Sequence, residues 1–337
     1  MNRRPTFLCW ALIVAGTTGA ATFDAPPPGD SVIGEPQYVR ALHKDTLVDL
    51  ARLYDVGLNE LRAANPEVDT WLPGEGTVVV IPTRYILPDT PRQGIVINVP
   101  EMRLYYYPEE ESGPGPKAVI TYPISVGRQD WETPKGVTRI VRKVRDPAWY
   151  PPASIRREHA ADGRPLGKVV PPGPDNPLGG YALRLGIPGY LIHGTNRPNG
   201  VGMQVTHGCV RLYPEDIERL FDSVSAGTPV RIVNQPYKLG WRDDVLYLEV
   251  HPPLRRDRER AADPHAVNEM IAAGLADREA VEVDWERVDA MVAHADGIPR
   301  PIARRISADS GQRPEQKNAP QTGPHAETAT ELYLETY

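Results

Sequence analysis

The stretch 192–212, IHGTNRPNGVGMQVTHGCVRL, holds the residue types needed for covalent acyl transfer. Cys209 supplies a thiol, and two imidazoles, His193 and His207, can take or hold its proton. A thiol attacks a carbonyl well only as thiolate, so a nearby base or positive charge is part of the requirement. Cys209 follows His207 by two residues and His193 by sixteen (209 − 193 = 16), and proximity in sequence favours His207 as the base. Gly208 suits a tight turn that offers backbone amides to a bound oxygen. Gly194, Gly200 and Gly202, with Pro198 and Asn199, make the intervening segment a loop. His193, His207 and Cys209 are also metal-ligand types. No fourth ligand stands out, however, and neither CxxC nor HxxxH spacing is present, so no metal and no cofactor is expected.

The remaining cysteine, Cys9, lies in MNRRPTFLCWALIVAGTTGAATFDA, where Arg3 and Arg4 precede a short apolar run. Small residues around Gly19, Ala20 and Ala21 offer a cleavage site, and residues 1–21 read as a secretory signal peptide. The run is short for a membrane span, and no other apolar stretch of that length follows. Removal of Cys9 would leave Cys209 unpaired in an oxidising compartment, as a free reactive thiol or a buried inert one. With 337 residues, 40% hydrophobic, and a net charge of −6, the chain has room for two domains and tails. The charge gives no reason to expect nucleic acid as a partner.

The elements that must position the cysteine follow from periodicity. Residues 22–36, with Pro26 to Pro28, read as a linker. In 37–82, a strand at 38–40 is followed by a helix with Leu47, Leu50 and Leu53 on one face, capped by Asp45 or Thr46. A second helix is predicted over 58–64 and a strand over 78–81. From 94 to 234, runs rich in β-branched and aromatic residues predict strands at 95–99, 102–107, 118–126, 137–144, 181–185, 190–193 and 230–233. A helix is predicted over 213–223. The fold class expected is mainly β, a sandwich-like domain preceded by a small α+β module. The Pro- and Gly-rich segment 146–180, with Trp149, Tyr150 and His159, is long for a loop and reads as a lid. Residues 235–253 are expected to add the last strand to the core at 245–250, 254–305 to form a helical extension, and 306–337 a disordered tail.

The elements His193-Gly-Thr-Asn196 and Thr206-His-Gly-Cys-Val-Arg-Leu212 resemble the signature of the L,D-transpeptidase (YkuD-like) catalytic domain. That resemblance implies Cys209 as nucleophile, His193 as proton donor and acceptor, and His207 and Gly208 shaping the oxyanion site. It places Gly194, Thr195, Asn196, Thr206 and Arg211 against substrate. Residues 37–82, with Ala64-Asn65-Pro66 and Val80-Ile81-Pro82, resemble a LysM module, a binder of peptidoglycan or chitin glycan. The resemblance further implies a periplasmic enzyme acting on peptidoglycan stem peptides and glycan. A lysine of an outer-membrane lipoprotein is the acceptor it favours. A second diaminopimelate or water as acceptor, and a non-catalytic wall-binding protein, are the alternatives.

Overall fold

The computed structural model describes residues 21–109, 115–128, 130–254, 264–276 and 281–305. The leader expected over 1–21 and the tail over 306–337 therefore lie outside the described residues, apart from Ala21. At Ala21 the chain enters a sheet. Strand β1 (Ala21–Asp24) pairs antiparallel with 118–123, Ala21 opposite Thr121. Strand β2 (Val32–Gly34) pairs with 84–86. Residues 22–36 are thus not a linker. Phe23 turns inward, its ring edge-on to Tyr85 at 6.0 Å, and β1 closes a sheet edge that would otherwise present unpaired backbone.

The strand–helix–helix–strand order expected over 37–82 is present as β3 (Gln37–Arg40), α1 (Leu47–Leu53), α2 (Leu58–Ala64) and β4 (Val78–Ile81), with β3 antiparallel to β4. Thr46 caps α1: its hydroxyl accepts from the Asp49 amide at 3.1 Å, and the Asp49 carboxylate accepts from the Thr46 amide in return. Leu47, Leu50, Leu61, Val79 and Ile81 fill its small core, while Leu53 stays largely exposed. Asn65 explains the turn after α2. Its amide group exchanges two hydrogen bonds with the Val80 backbone, each 2.8 Å, as a strand residue would.

Beyond β5 (Arg84–Ile86), two apolar runs form β6 (Gly94–Asn98) and β7 (Arg103–Tyr107), buried at every position. A strand can be apolar throughout only when both faces are covered. Ile95, Ile97, Leu104 and Tyr106 enter the main core, and Val96, Tyr105 and Tyr107 enter a second one with Ile33, Tyr85 and Phe23. The chain continues through β8 (Ala118–Pro123), β9 (Val126–Gly127), β10 (Gly136–Arg145), α3 (Ala153–Ala161), β11 (Tyr181–Leu185), β12 (Leu191–His193), β13 (Gln204–Thr206), β14 (Val210–Arg211), α4 (Pro214–Ser223) and β15 (Pro229–Val233). One nine-stranded mixed sheet runs β1-β8-β7-β6-β15-β10-β11-β12-β14. The segment 146–180 is not loop throughout, since it contains α3.

The strand at 245–250 does not complete this sheet. It pairs with Tyr237–Arg242 as a hairpin whose two-residue loop, Asp243-Asp244, holds Asp243 at φ +54°. Arg300–Arg305 and Val281–Val283 extend that pair to a separate four-stranded sheet. Helices Pro264–Leu275 and Trp285–His294 pack on it, through Val267, Ile271, Val288 and Met291. The extension over 254–305 is therefore mixed rather than helical. Lys238 ties this unit to the catalytic sheet: its ammonium donates to the Ile86 carbonyl (2.6 Å) and pairs with Glu101 (2.8 Å) and Glu249 (2.7 Å), all buried.

The N-terminal module is likewise welded to the sheet. Arg103 on β7 pairs with Glu60 on α2 at 2.7 Å, both side chains buried. Arg52 pairs with Glu215 at 2.9 Å. Removing one partner of a pair as buried as Arg103–Glu60 costs about 3–5 kcal/mol, because a charge is left uncompensated.

Candidate active site

Strands β12 and β14 lie parallel, Ile192 opposite Val210 and His193 opposite Arg211. Ile192 and Val210 point into the main core. Alternation then puts His193 and Arg211, and Cys209 just before β14, on the other face. The sheet brings together three residues that the sequence spreads over nineteen positions (211 − 193 + 1 = 19).

The Cys209 bend is held from within. Thr206 is buried, its hydroxyl donating to the Cys209 carbonyl at 2.6 Å and accepting from the Gly208 amide at 3.2 Å. Thr133 donates to the Gly208 carbonyl at 3.0 Å and accepts from the Gly127 amide at 2.9 Å. Gly208 sits at φ +97°, and a Cβ there would lie 2.8 Å from the Tyr190 ring, so both backbone conformation and space demand glycine. In this state the Gly208 amide faces Thr206 rather than an open oxyanion position. The Cys209 sulfur lies 3.7 Å from the Gly189 carbonyl, and burial pushes its thiol pKa up. At rest Cys209 is therefore a thiol rather than a thiolate.

His193 is 4% exposed. Its Nδ1 lies 2.6 Å from the Gly194 carbonyl, which fixes Nδ1 as the protonated nitrogen, and the Leu178 carbonyl also bonds the ring. Burial, with the Arg211 charge second, lowers its pKa to about 3, so the ring is unprotonated at neutral pH. Gly194 is needed for close approach: a Cβ would meet Ile217 of α4 at 2.9 Å. Helix α4 thereby presses against the strand end that carries His193.

His207 faces elsewhere. Its Nε2 lies 3.0 Å from Glu158 of α3, and its ring is edge-on to Trp131 at 5.1 Å. Glu158 also accepts from Arg128 at 2.6 Å. Arg128 and His207 together hold its carboxyl below the ordinary range. None of Glu158, Arg128, Trp131 or Thr133 stands out in the sequence, because each reaches the site from a segment remote in the chain. The one available signal was the length of 146–180.

The other expected site residues divide. Thr195 is buried and accepts from the Arg197 amide (2.9 Å), while Asn196 is exposed and donates to the Pro174 carbonyl (3.2 Å). Both line an open cleft of about 440 Å³ with Asp146, Gly179 and Pro214, beside His193 in the chain. Arg211 is partly buried and its Nε has no hydrogen-bond partner among the described residues. Arg197 is the neighbouring charge that disfavours its protonated form, after burial, so the two guanidinium groups form a positive corner suited to an anion. Among the described residues, the ligand types that do converge within 4.8 Å are Glu101, Glu249 and His251, around the Lys238 ammonium and away from the cysteine. No helix among the described residues is long and apolar enough to cross a membrane.

Residues 92–232 match the family model of the YkuD L,D-transpeptidase catalytic domain. Over 303 residues the chain is 40% identical to a probable L,D-transpeptidase ErfK/SrfK of Salmonella typhimurium, covering 88% of this chain and 95% of the relative. It is 44% identical over 256 residues to the probable L,D-transpeptidase YbiS of Escherichia coli K12, covering 74% and 82%. A third similar protein, the probable L,D-transpeptidase YcfS of the same strain, is 39% identical, with 90% and 95% covered. Identity at that level along nearly the whole length of both chains leaves one assignment: the protein belongs to the L,D-transpeptidase (YkuD) family of enzymes.

Proposed function

We propose that this L,D-transpeptidase works in the periplasm on peptidoglycan tetrapeptide stems and transfers the acyl group to a lysine of an outer-membrane lipoprotein. What supports the chemistry is that a buried neutral imidazole, His193, lies on the same face of the parallel pair β12 and β14 as Cys209. With Nδ1 of His193 committed to the Gly194 carbonyl, Nε2 is the nitrogen that exchanges a proton with the thiol. As the sulfur attacks the carbonyl of the third-position diaminoacyl residue, its proton passes to His193. The C–N bond to the terminal D-alanine breaks, and His193 returns the proton to the departing amine. A thioester on Cys209 remains. The acceptor amine then attacks it and gives a proton to His193; the C–S bond breaks, and His193 returns that proton to the departing sulfur. The positive corner of Arg211 and Arg197 suits a carboxylate of the stem. His207, fixed by Glu158, shapes the carbonyl site.

Wall attachment would fall to the 37–82 module, read as LysM. Its first and third loops adjoin, the Leu47 amide donating to the Thr70 carbonyl at 2.9 Å, and they leave Leu42, Trp71 and Leu72 exposed. Apolar surface of this kind suits stacking against a sugar ring.

Intact-mass measurement after mixing the protein with a stem tetrapeptide tests the chemistry. The expected product is a Cys209 adduct carrying the stem acyl group without D-alanine, discharged by a lysine-containing lipoprotein peptide. No adduct on the folded protein, or an equal adduct on Cys209→Ala, overturns it. Discharge by diaminopimelate or water alone would reassign the acceptor.

A further inference from the structure

Three elements distant in the chain meet at a buried pair of acids. Asp55, between α1 and α2, and Asp216, in the first turn of α4, are 6% and 1% exposed. Their carboxyl groups are close enough to act on each other, and a hydrogen bond between them would need a shared proton. Burial, followed by the neighbouring carboxyl, pushes Asp216 well above the ordinary range. Its Oδ2 has no hydrogen-bond partner among the described residues. Arg103 faces Asp55 but already pairs with Glu60 at 2.7 Å, and Arg219, three residues after Asp216 on α4, is a second cation whose charge favours the ionised form of both acids.

The third element is β1. The backbone nitrogen of Ala21 lies 3.0 Å from Asp55 Oδ2, at the position where pairing with Thr121 starts. Immediately before it the sequence reads Thr18-Gly19-Ala20, with small residues one and three places upstream, the pattern a leader peptidase cuts. The nitrogen that faces the acids is thus the one that cleavage after Ala20 would turn from an amide into an amine.

We propose that a leader peptidase hydrolyses the Ala20–Ala21 bond and that the new α-ammonium of Ala21 becomes the buried counter-ion of Asp55 and Asp216. Water adds to the Ala20 carbonyl and the C–N bond breaks. Ala20 departs with the leader as a carboxylate, and Ala21 acquires a positive charge and three N–H donors in place of one. Those donors serve Asp55 Oδ2 and the orphaned Asp216 Oδ2, and the shared acid proton is released. Asp216 lies seven residues after Cys209 (216 − 209 = 7), on the helix whose Ile217 abuts Gly194. The processed terminus would therefore help seat the helix that backs His193. Two of the cleavage positions open in the sequence, after Ala20 or after Ala21, are distinguished by the fold, because only the first leaves the amine opposite Asp55.

This inference rests on the export reading but not on the transfer chemistry, and its test separates the two. The full chain is expressed with its own leader, recovered from the periplasm and sequenced from its N-terminus. A start at Ala21 is expected; a start at Thr22 or later overturns the ion pair, and a retained leader overturns export as well. Thermal unfolding is then compared for this product, for the same chain with one glycine added before Ala21, and for the product acetylated at its α-amine. Both changes are expected to lower Tm by about 5 °C. In Asp55→Asn or Asp216→Asn, either of which keeps an acceptor in place, the difference is expected to shrink to about 1 °C. Equal Tm for free and blocked termini, or an undiminished difference in both variants, overturns the proposal.

Discussion

His193 and His207 both precede Cys209 in the chain, and their surroundings differ. His193 is buried on backbone carbonyls, with the Arg211 charge nearby lowering its pKa. His207 is partly exposed, on a carboxylate that Arg128 shares, with the Trp131 ring against its edge. Backbone carbonyls orient an imidazole and set its tautomer without stabilising a resident positive charge as a carboxylate does. A ring held this way is neutral at rest, the state in which the proposed mechanism needs it to meet the thiol. A ring clamped to a carboxylate is a fixed donor. Proximity in the chain therefore points to a histidine that Glu158 already occupies, while the one sixteen residues away shares the cysteine's face of the sheet.

The sharpest break of this contrast is His193→Gln, which keeps a polar side chain but no base. Acylation by stem peptide is expected to fall about 10²–10⁴-fold in kcat/KM, with a matching loss of Cys209 alkylation by a small reagent near neutral pH. Retained alkylation would mean that another group takes the proton. Next in size is Gly208→Ala, which must fit a Cβ 2.8 Å from the Tyr190 ring at φ +97°. A displaced sulfur is expected to cost about 100-fold in rate, with far-UV circular dichroism unchanged. Wild-type turnover would show that the bend tolerates movement.

What the sequence reveals depends on whether a residue's partner is near it in the chain. Runs of β-branched and aromatic residues marked β6, β7 and β11, and Thr46 announced the start of α1, because these signals are local. The motif at 206–212 carried Cys209 and Gly208 for the same reason. Glu158 was invisible: a glutamate on a helix within a Pro-rich segment looks solvated until α3 is laid over His207. The 22–36 segment misled because three consecutive prolines mask the inward Phe23. Its pairing partner is also remote in the chain, since Asp24 sits opposite Ala118, 94 residues on (118 − 24 = 94). Strand 245–250 was assigned to the wrong sheet since its β-rich pattern says nothing of which edge it joins.

The third prediction uses stability instead of rate. Above about pH 6.5 neither folded nor unfolded chain holds a proton on His193. Below it the unfolded chain takes one up, and the buried ring, with a pKa of about 3, does not. Stability is therefore expected to fall as pH drops from about 6.5 toward about 3, by about 1.4 kcal/mol per pH unit, or about 2 kcal/mol at pH 5. His193→Gln removes that contribution. Urea unfolding of both proteins at pH 7.5 and pH 5 measures it, and equal pH slopes would mean that the ring is solvated in the folded protein.

The smallest effect is expected at Glu158, and it isolates what the His207 side contributes. Glu158→Gln keeps an acceptor 3.0 Å from His207 Nε2 and near Arg128 but removes the charge that holds both. Since both partners are partly exposed, the lost electrostatic energy is screened and small. The proposed proton exchange between Cys209 and His193 does not pass through this cluster, so alkylation of Cys209 by a small reagent should be unchanged. Acylation by stem peptide should fall by about 10-fold or less, because the loosened ring no longer fixes the wall of the carbonyl site. His207→Gln should give the same split, and the double variant should be little worse than either alone, as expected for residues acting as one unit. A parallel loss of alkylation and acylation in Glu158→Gln would place His207 in the proton path and erase the distinction between the two histidines.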